Sequence, residues 1–260
     1  MLDSTQLESF ERDGYVVLGT VLDSDERAEL IAAERRLRPS DGYGTSPGLI
    51  VMDQLAHVSS AVRRFCCDGR HLDAVVQLLG PDVALTHNQF VVKLPGKGIA
   101  ASEIPLHQDD GYGLLDPPDD LTVWVALTDA AAVNGCLVLA PGSHHEGLVE
   151  HVIAASNPAF REARADDIMP LELAAGEAVA FSGLLLHGSG DNLSDVERVG
   201  LFARYCTPTA RMMTEGGKPV LDDGNSWMVR GEAPLSTWRS ANTKYADESR
   251  RAGGNDERSR

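Results

Sequence analysis

Between residues 83 and 205 the chain breaks into short apolar runs separated by glycine, proline and Asn/Asp turns, and this rhythm restricts the fold more than any other feature. Residues 83–94, 105–109, 121–128, 136–140, 147–152, 168–173, 177–186 and 196–205 each read as a strand, because β-branched and aromatic residues alternate within them and turn formers end them. Many short strands with tight connections imply a sandwich or jelly roll. Helices come earlier. Asp23 stands three residues before Glu26 at capping-box spacing, and Leu30, Ile31 and Leu37 mark one buried stripe before Pro39. A second helical stretch is interrupted at Gly69 and closed by Gly80-Pro81, and residues 41–55 read as loop. The expected molecule is a mainly β domain whose N-terminal helices flank the outside of a jelly roll. A chain of 260 residues suits one such domain, with a core over 10–208, a packing segment over 209–239 that carries Trp227, Met228 and Trp238, and a loose charged tail over 240–260.

Two His-x-Asp triplets occur, and chain conformation separates them. His71-Leu72-Asp73 lies among Val62, Phe65, Cys66, Leu72, Val75, Val76 and Leu79, which are spaced as on a helix. Residues two apart on a helix diverge, so this pair is expected on a solvated helix face. His107-Gln108-Asp109 follows Pro105 and precedes Gly111-Tyr112-Gly113, which indicates a strand entering a loop. In extended chain His107 and Asp109 share a face and can bind one ion, with Gln108 turned away.

The same parity argument places His187 and Ser189 on one face of a strand. The turn-rich stretch Gly190-Asp191-Asn192 then leads to a returning strand that contains Arg198. A regular hairpin would set His187 and Arg198 side by side, with Cβ atoms about 5 Å apart. A metal on His187 and a guanidinium nearby leave room for a five-carbon diacid, 2-oxoglutarate, whose keto-acid end chelates the ion. Its far carboxylate would meet Arg198 in a bidentate contact that a lysine would not reproduce, with Ser189 as a further donor.

Two histidines and one carboxylate on one side of an ion form the ligand set of non-haem Fe(II) oxygenases. Zinc stays chemically open. Cys66, Cys67, Cys136 and Cys206 lack the CxxC spacing of a structural zinc site and make no disulfide framework, in keeping with a reducing cytoplasm. A formal charge of −16 argues against nucleic acid and anionic membranes as partners. No run of eighteen apolar residues occurs, and residues 1–14 are largely polar and acidic, without the basic start and apolar stretch expected of a signal peptide. Oligomeric state is not legible.

From Phe10 to about Pro208 the chain resembles the phytanoyl-CoA dioxygenase family. The likeness rests on Phe10-Glu11-Arg12-Asp13-Gly14-Tyr15, Leu106-His107-Gln108-Asp109, Trp124-Val125-Ala126-Leu127-Thr128-Asp129, Asn134-Gly135-Cys136-Leu137, Pro141-Gly142-Ser143-His144, His187-Gly188-Ser189 and Arg198, in that order. It implies a double-stranded β-helix of the cupin-like kind, with Fe(II) on His107, Asp109 and His187. It also implies 2-oxoglutarate on Arg198 and Ser189, with Trp124 and Gln89 lining its pocket. Read from the residues alone, Trp124 fits a core position equally well. Lys93 fits a solvated strand edge as well as a ligand contact. Asp110 and Tyr112 leave the metal strand into a loop expected to overhang the open coordination sites, where they would touch substrate. His144, His145 and His151 are not expected to bind metal.

The resemblance also implies consumption of O2 with 2-oxoglutarate. Because a carboxylate, Asp109, occupies the third ligand position, no site is left for chloride, so hydroxylation, desaturation or ring closure remain. No patch for a CoA phosphate is evident and Asp256-Glu257-Arg258-Ser259-Arg260 is not a peroxisomal address. The expected substrate is a small polar metabolite of natural-product metabolism, such as a sugar or aminoglycoside. Amino-acid or osmolyte hydroxylation is the alternative, and a non-oxidative jelly-roll isomerase or hydrolase using Zn²⁺ or Mn²⁺ is the alternative of another class.

Overall fold

The computed structural model describes residues 1–38, 44–96, 102–113, 115–156, 160–213 and 226–232. In chain order the elements are α1 (Ser4–Asp13), β1 (Tyr15–Thr20), α2 (Ser24–Leu37), β2 (Gly44–Ser46), β3 (Leu49–Asp53), α3 (Ser60–Asp68), α4 (Leu72–Leu79), β4 (Val83–Lys93), β5 (Ile104–His107), β6 (Leu115–Asp116), β7 (Asp120–Ala126) and β8 (Leu137–Leu139). There follow β9 (Val152–Ile153), β10 (Arg161–Glu162), β11 (Met169–Leu171), β12 (Glu177–Ser182), β13 (His187–Ser189), β14 (Arg198–Cys206), β15 (Arg211–Met212) and β16 (Trp227–Arg230).

Asp23 caps α2 and Glu26 reciprocates, as the spacing indicated. The opening helix that the resemblance at Phe10–Tyr15 implies is present as α1, capped the same way by Asp3 and Gln6, and it ends where Gly14 turns left-handed at φ +79°. The helical pair does break at Gly69, giving α3 and α4.

Most strands form two facing antiparallel sheets, with β9-β10 and β6-β15 as separate two-stranded pairs. The major sheet runs β1-β12-β7-β14-β4-β3-β2, with β16 added to β4, and the minor sheet runs β11-β8-β13-β5. Alternation gives the major sheet two different faces. Its outer face presents Leu85, Phe90, Val92, Val123, Val125, Leu201 and Ala203 to Val62, Phe65, Cys66, Leu72 and Val75 of α3 and α4. Each large apolar side chain sealed there contributes about 1.5–3 kcal/mol. Its inner face joins Trp124, Ala126, Val179 and Phe181 to Leu137 and Leu139 of the minor sheet. The result is a jelly roll with helices on one outer wall, the mainly β architecture expected. Among the described residues no helix is long and apolar enough to cross a membrane.

Several local expectations need correction. Residues 41–55 are not simply loop, because Leu49-Ile50-Val51-Met52 forms β3 and pairs with β4. Ile50 and Met52 join the helix-side core while Leu49 is sealed on the other face, so this strand is apolar on both sides and lacks the usual alternation. The strand expected over 147–152 reduces to Val152–Ile153. His71 is not solvated: it precedes α4, turns inward against Phe65, and its Nε2 lies 2.8 Å from the Tyr205 hydroxyl. Burial lowers its pKa to about 3.

The expected hairpin of His187 and Arg198 does not exist. β12 ends at Ser182, the chain turns at Gly183, and β13 crosses to the minor sheet, where it pairs with β5 and β8. β14 returns to the major sheet between β7 and β4. Gly183 permits the turn because a side chain there would overlap the Asp120 carboxylate. His187 and Arg198 therefore lie on different sheets. Of the C-terminal packing segment, β16 lies on β4 and the edge of the His57 ring meets Trp227. Trp238 and the tail over 240–260 lie outside the described residues.

Candidate metal centre

β5 and β13 pair so that His107 and His187 stand directly opposite each other. Each ring is oriented by its own strand: Nδ1 of His107 bonds the Pro105 carbonyl at 2.8 Å and Nδ1 of His187 bonds the Leu185 carbonyl at 2.9 Å. Because a carbonyl only accepts, Nδ1 carries the proton in both rings and Nε2 keeps its lone pair. Those two Nε2 atoms lie 3.8 and 3.7 Å from one carboxylate oxygen, Oδ1 of Asp109. An ion about 2.1 Å from each ligand atom sets such atoms about 3.0–3.6 Å apart, so the triangle fits a metal with slight contraction. Among the described residues these three form the one His/Cys/Asp/Glu group so arranged.

Asp109 is not on the extended strand. Gln108 is extended, but Asp109 opens a short 3-10 turn, and its carboxylate swings back beside the histidines. Thr122 on the inner face of β7 donates its hydroxyl to Asp109 Oδ2 at 2.5 Å, which leaves Oδ1 to the metal position. Burial raises the Asp109 pKa, yet His187, Arg204 and His107 outweigh it and hold it below the usual value. Burial and the neighbouring His187 push the His107 pKa down to about 4, so the ring is a neutral ligand at physiological pH.

Behind the triangle lies a buried charge cluster. Arg204 on β14 donates to Asp120 and to Asp110, each at 2.5 Å. Burial and repulsion from Asp120 drive the Asp110 pKa up to about 7, against the pull of Arg204. This corrects the expectation for Asp110. It is sealed behind the metal position against Arg204 and does not overhang it, because the 3-10 turn rotates successive side chains inward. Tyr112 does border the site: its ring meets the His107 edge at 5.3 Å, it is 48% exposed, and its hydroxyl accepts from the Arg161 amide. His151 lies close by and accepts from the Gln108 amide rather than facing the triangle.

Arg198 is 1% exposed. One of its nitrogens donates to the Gly135 carbonyl at 2.8 Å, while Nε and Nη1 have no acceptor among the described residues. Such orphaned donors are costly, and burial lowers the guanidinium pKa to about 10. Its plane lies 5.4 Å from the Trp124 ring, and Gly200 makes room for that ring, since any side chain at Gly200 would overlap the indole. Trp124 thus faces the interior beside Arg198, within the apolar cluster of the inner face. Lys93 pairs with Arg198 across the ladder and is fully buried, not a solvated edge charge. Its ammonium donates to the carbonyls of Ser189, at 3.1 Å, and Gly190. Burial and the neighbouring Arg198 push the Lys93 pKa well down, against the pull of Asp191 and Glu103, so the sealed charge left without a carboxylate among the described residues is the Arg198 guanidinium, which suits one end of a dianion. Ser189 is buried beside Lys93, and Gln89 lies on the same inner face, with its amide on Asp53. Thr122, Asp120 and Arg204 were missed in sequence. Their signal is parity: Arg204 is six residues from Arg198, and Asp120 and Thr122 are four and two before Trp124, so all share the inner face.

The family model "Phytanoyl-CoA dioxygenase (PhyH)" matches residues 10–200. The chain belongs to the phytanoyl-CoA dioxygenase family. A phytanoyl-CoA dioxygenase of Arabidopsis thaliana is 35% identical over 119 residues, 43% of this chain and 40% of the relative. The human peroxisomal phytanoyl-CoA dioxygenase is 31% identical over 176 residues, 64% of this chain and 52% of the relative. The chain thus spans about half the length of these curated relatives. Among solved structures, the non-haem alpha ketoglutarate dependent epimerase SnoN from nogalamycin biosynthesis superposes with a TM-score of 0.71 at 23% identity, covering 88% of this chain and 96% of that one, which shows the shared fold. Within this family the triangle and the buried guanidinium have a ready reading as iron ligands and cosubstrate anchor.

Proposed function

We propose that the protein is a non-haem Fe(II)- and 2-oxoglutarate-dependent dioxygenase that hydroxylates or oxidatively cyclises a small polar metabolite in natural-product metabolism, with sugar or aminoglycoside scaffolds as the leading class. The observation that carries this reading is Arg198, a fully buried guanidinium with two unpaired donors on the sheet opposite the His107-Asp109-His187 triangle. A structural cation would have its carboxylate; this one suits an incoming anion.

Iron with 2-oxoglutarate and O2 supplies, when bound, the oxidising chemistry that turns the diacid to succinate and carbon dioxide and activates a C–H bond. The protein's part is positional. His107, His187 and Asp109 hold one side of the ion and leave the other open. Arg198 fixes the distal carboxylate, and Trp124 walls its path. Thr122 holds Asp109 to one ligating oxygen. SnoN acts in nogalamycin biosynthesis by its description, which supports a natural-product role by analogy of fold alone.

Anaerobic addition of Fe(II) and 2-oxoglutarate should produce a visible metal-to-ligand absorption that needs both components. Succinate release against pooled metabolites then finds the substrate. A non-oxidative isomerase or hydrolase would develop no such band and would turn over without oxygen, which would overturn the proposal.

A further inference from the structure

The inner face of the major sheet carries a second polar group that the iron and cosubstrate do not use. Register places it: Thr122, Arg204 and His87 lie in one row across β7, β14 and β4, and Trp124, Phe202, Gln89 and Asp53 lie in the next, extended onto β3. Thr122 touches Asp109, so the first row is at the level of the metal triangle. The β3–β4 end of these rows is open to solvent, with the His87 and Asp53 side chains 34% and 54% exposed.

This wall is built, not incidental. Gln54, just after β3, holds a left-handed backbone at φ +57°, the one non-glycine residue among those described to do so. Its side-chain nitrogen reaches the Thr86 carbonyl at 3.2 Å and His87 Nδ1 at 3.0 Å, while its oxygen accepts from Asn88 at 3.1 Å. Because the Thr86 carbonyl only accepts, the amide orientation is fixed and Nδ1 of His87 is the acceptor. The His87 proton then sits on Nε2, 3.3 Å from Asp53 Oδ1, and the Gln89 amide donates to the same oxygen. Burial raises the Asp53 pKa, but these two bonds outweigh it and keep the group ionised. His87 spends its one donor and Gln89 one of its two on Asp53, so the wall offers two acceptors, the carboxylate and the Gln89 carbonyl, beside one remaining amide N–H. The row's cation, Arg204, is already committed to Asp110 and Asp120. Phe202 packs 5.6 Å from the His87 ring and lies across β4 from Asp53.

We propose that Asp53, positioned by His87, Gln89 and Gln54, is the substrate-recognition group, and that the substrate class is a small metabolite bearing a protonated amine. This rests on the proposed function and narrows it. An ammonium is the partner for an ionised carboxylate beside a second acceptor, whereas a neutral hydroxyl makes a weaker bond there without the charge pairing. The charge of −16 favours the approach of such a cation.

The test compares matched amine, alcohol and N-acetyl compounds, with glucosamine, glucose and N-acetylglucosamine as one trio, for acceleration of succinate release by the iron-loaded enzyme. Amines should accelerate it and their neutral counterparts should not. Asp53→Asn should raise the KM of the active amine about tenfold or more with a smaller change in kcat. Equal stimulation by the alcohols, stimulation by no amine, or an unchanged KM in Asp53→Asn would overturn the inference. The anaerobic absorption band of the unaltered protein separates the two levels: its absence defeats the proposed function, while its presence with indifferent amines defeats only the assignment of Asp53.

Discussion

Replacing Arg198 with leucine should remove 2-oxoglutarate binding without unfolding the protein. The guanidinium has two donors with no partner, and each charge-assisted hydrogen bond they would make to a carboxylate contributes about 1.5–3 kcal/mol. Two together come to about 3–6 kcal/mol, and a factor of ten per 1.4 kcal/mol makes that a loss of roughly two to four orders of magnitude in affinity. The metal-free protein should behave differently. Burial lowers the Arg198 pKa from 12.5 to about 10, which means the empty fold bears a desolvation cost of about 3 kcal/mol for holding this charge. Leucine removes that cost, and it also leaves the Gly135 carbonyl without its donor and loses packing on Trp124. These effects oppose each other, so ligand-free stability should change by only about 1 kcal/mol. Thermal unfolding with and without 2-oxoglutarate reads both quantities at once: the midpoint of the parent protein rises with the diacid, and that of the variant stays flat. A variant that still binds 2-oxoglutarate within threefold of the parent would refute the anchor, as would a variant that loses the response only because it has unfolded.

His107→Ala or His187→Ala should abolish iron-dependent succinate release, measured with excess Fe(II); appreciable turnover in either would displace the ligand assignment. Thr122→Val removes the hydroxyl that donates to Asp109 Oδ2 and should weaken Fe(II) binding about tenfold while kcat at saturating iron is largely kept, with metal titration as the measure. His71 has its pKa lowered to about 3 in the folded protein against 6.5 for a free ring, so between those values the unfolded chain takes up a proton that the folded one refuses. Stability should therefore fall as pH drops below 6.5. His71→Gln should flatten that slope by nearly one proton in urea unfolding at stepped pH, although losing the Tyr205 contact costs stability near neutrality; an unchanged slope would place the acid sensitivity elsewhere.

The metal residues were legible because their signals are local: Pro105 and the glycines around position 111 exclude helix, and alternation over 187–189 groups His187 with Ser189. The relation of His187 to Arg198 was misread for a physical reason. Turn chemistry at Gly190-Asp191-Asn192 looks the same whether the next strand returns beside the first or crosses to the facing sheet, and only long-range pairing with β4 and β7 decides. Asp110 misled similarly, since a single 3-10 turn reverses which neighbour faces inward. Lys93 and His71 are polar residues sealed by partners that no local pattern names: the carbonyls of Ser189 and Gly190 in one case, Tyr205 in the other. β3 escaped notice because both its faces are covered and no alternation remains. Asp53 was hidden with it.

β5 is the outermost strand of the minor sheet, and β13 is its sole ladder neighbour within that sheet. His107 and His187 sit opposite each other across that seam, so an ion held by both acts as a rivet between a border strand and the body of the barrel. Loading the metal should therefore slow amide exchange selectively along residues 104–107, coupling iron content to how tightly the wall of the barrel is closed.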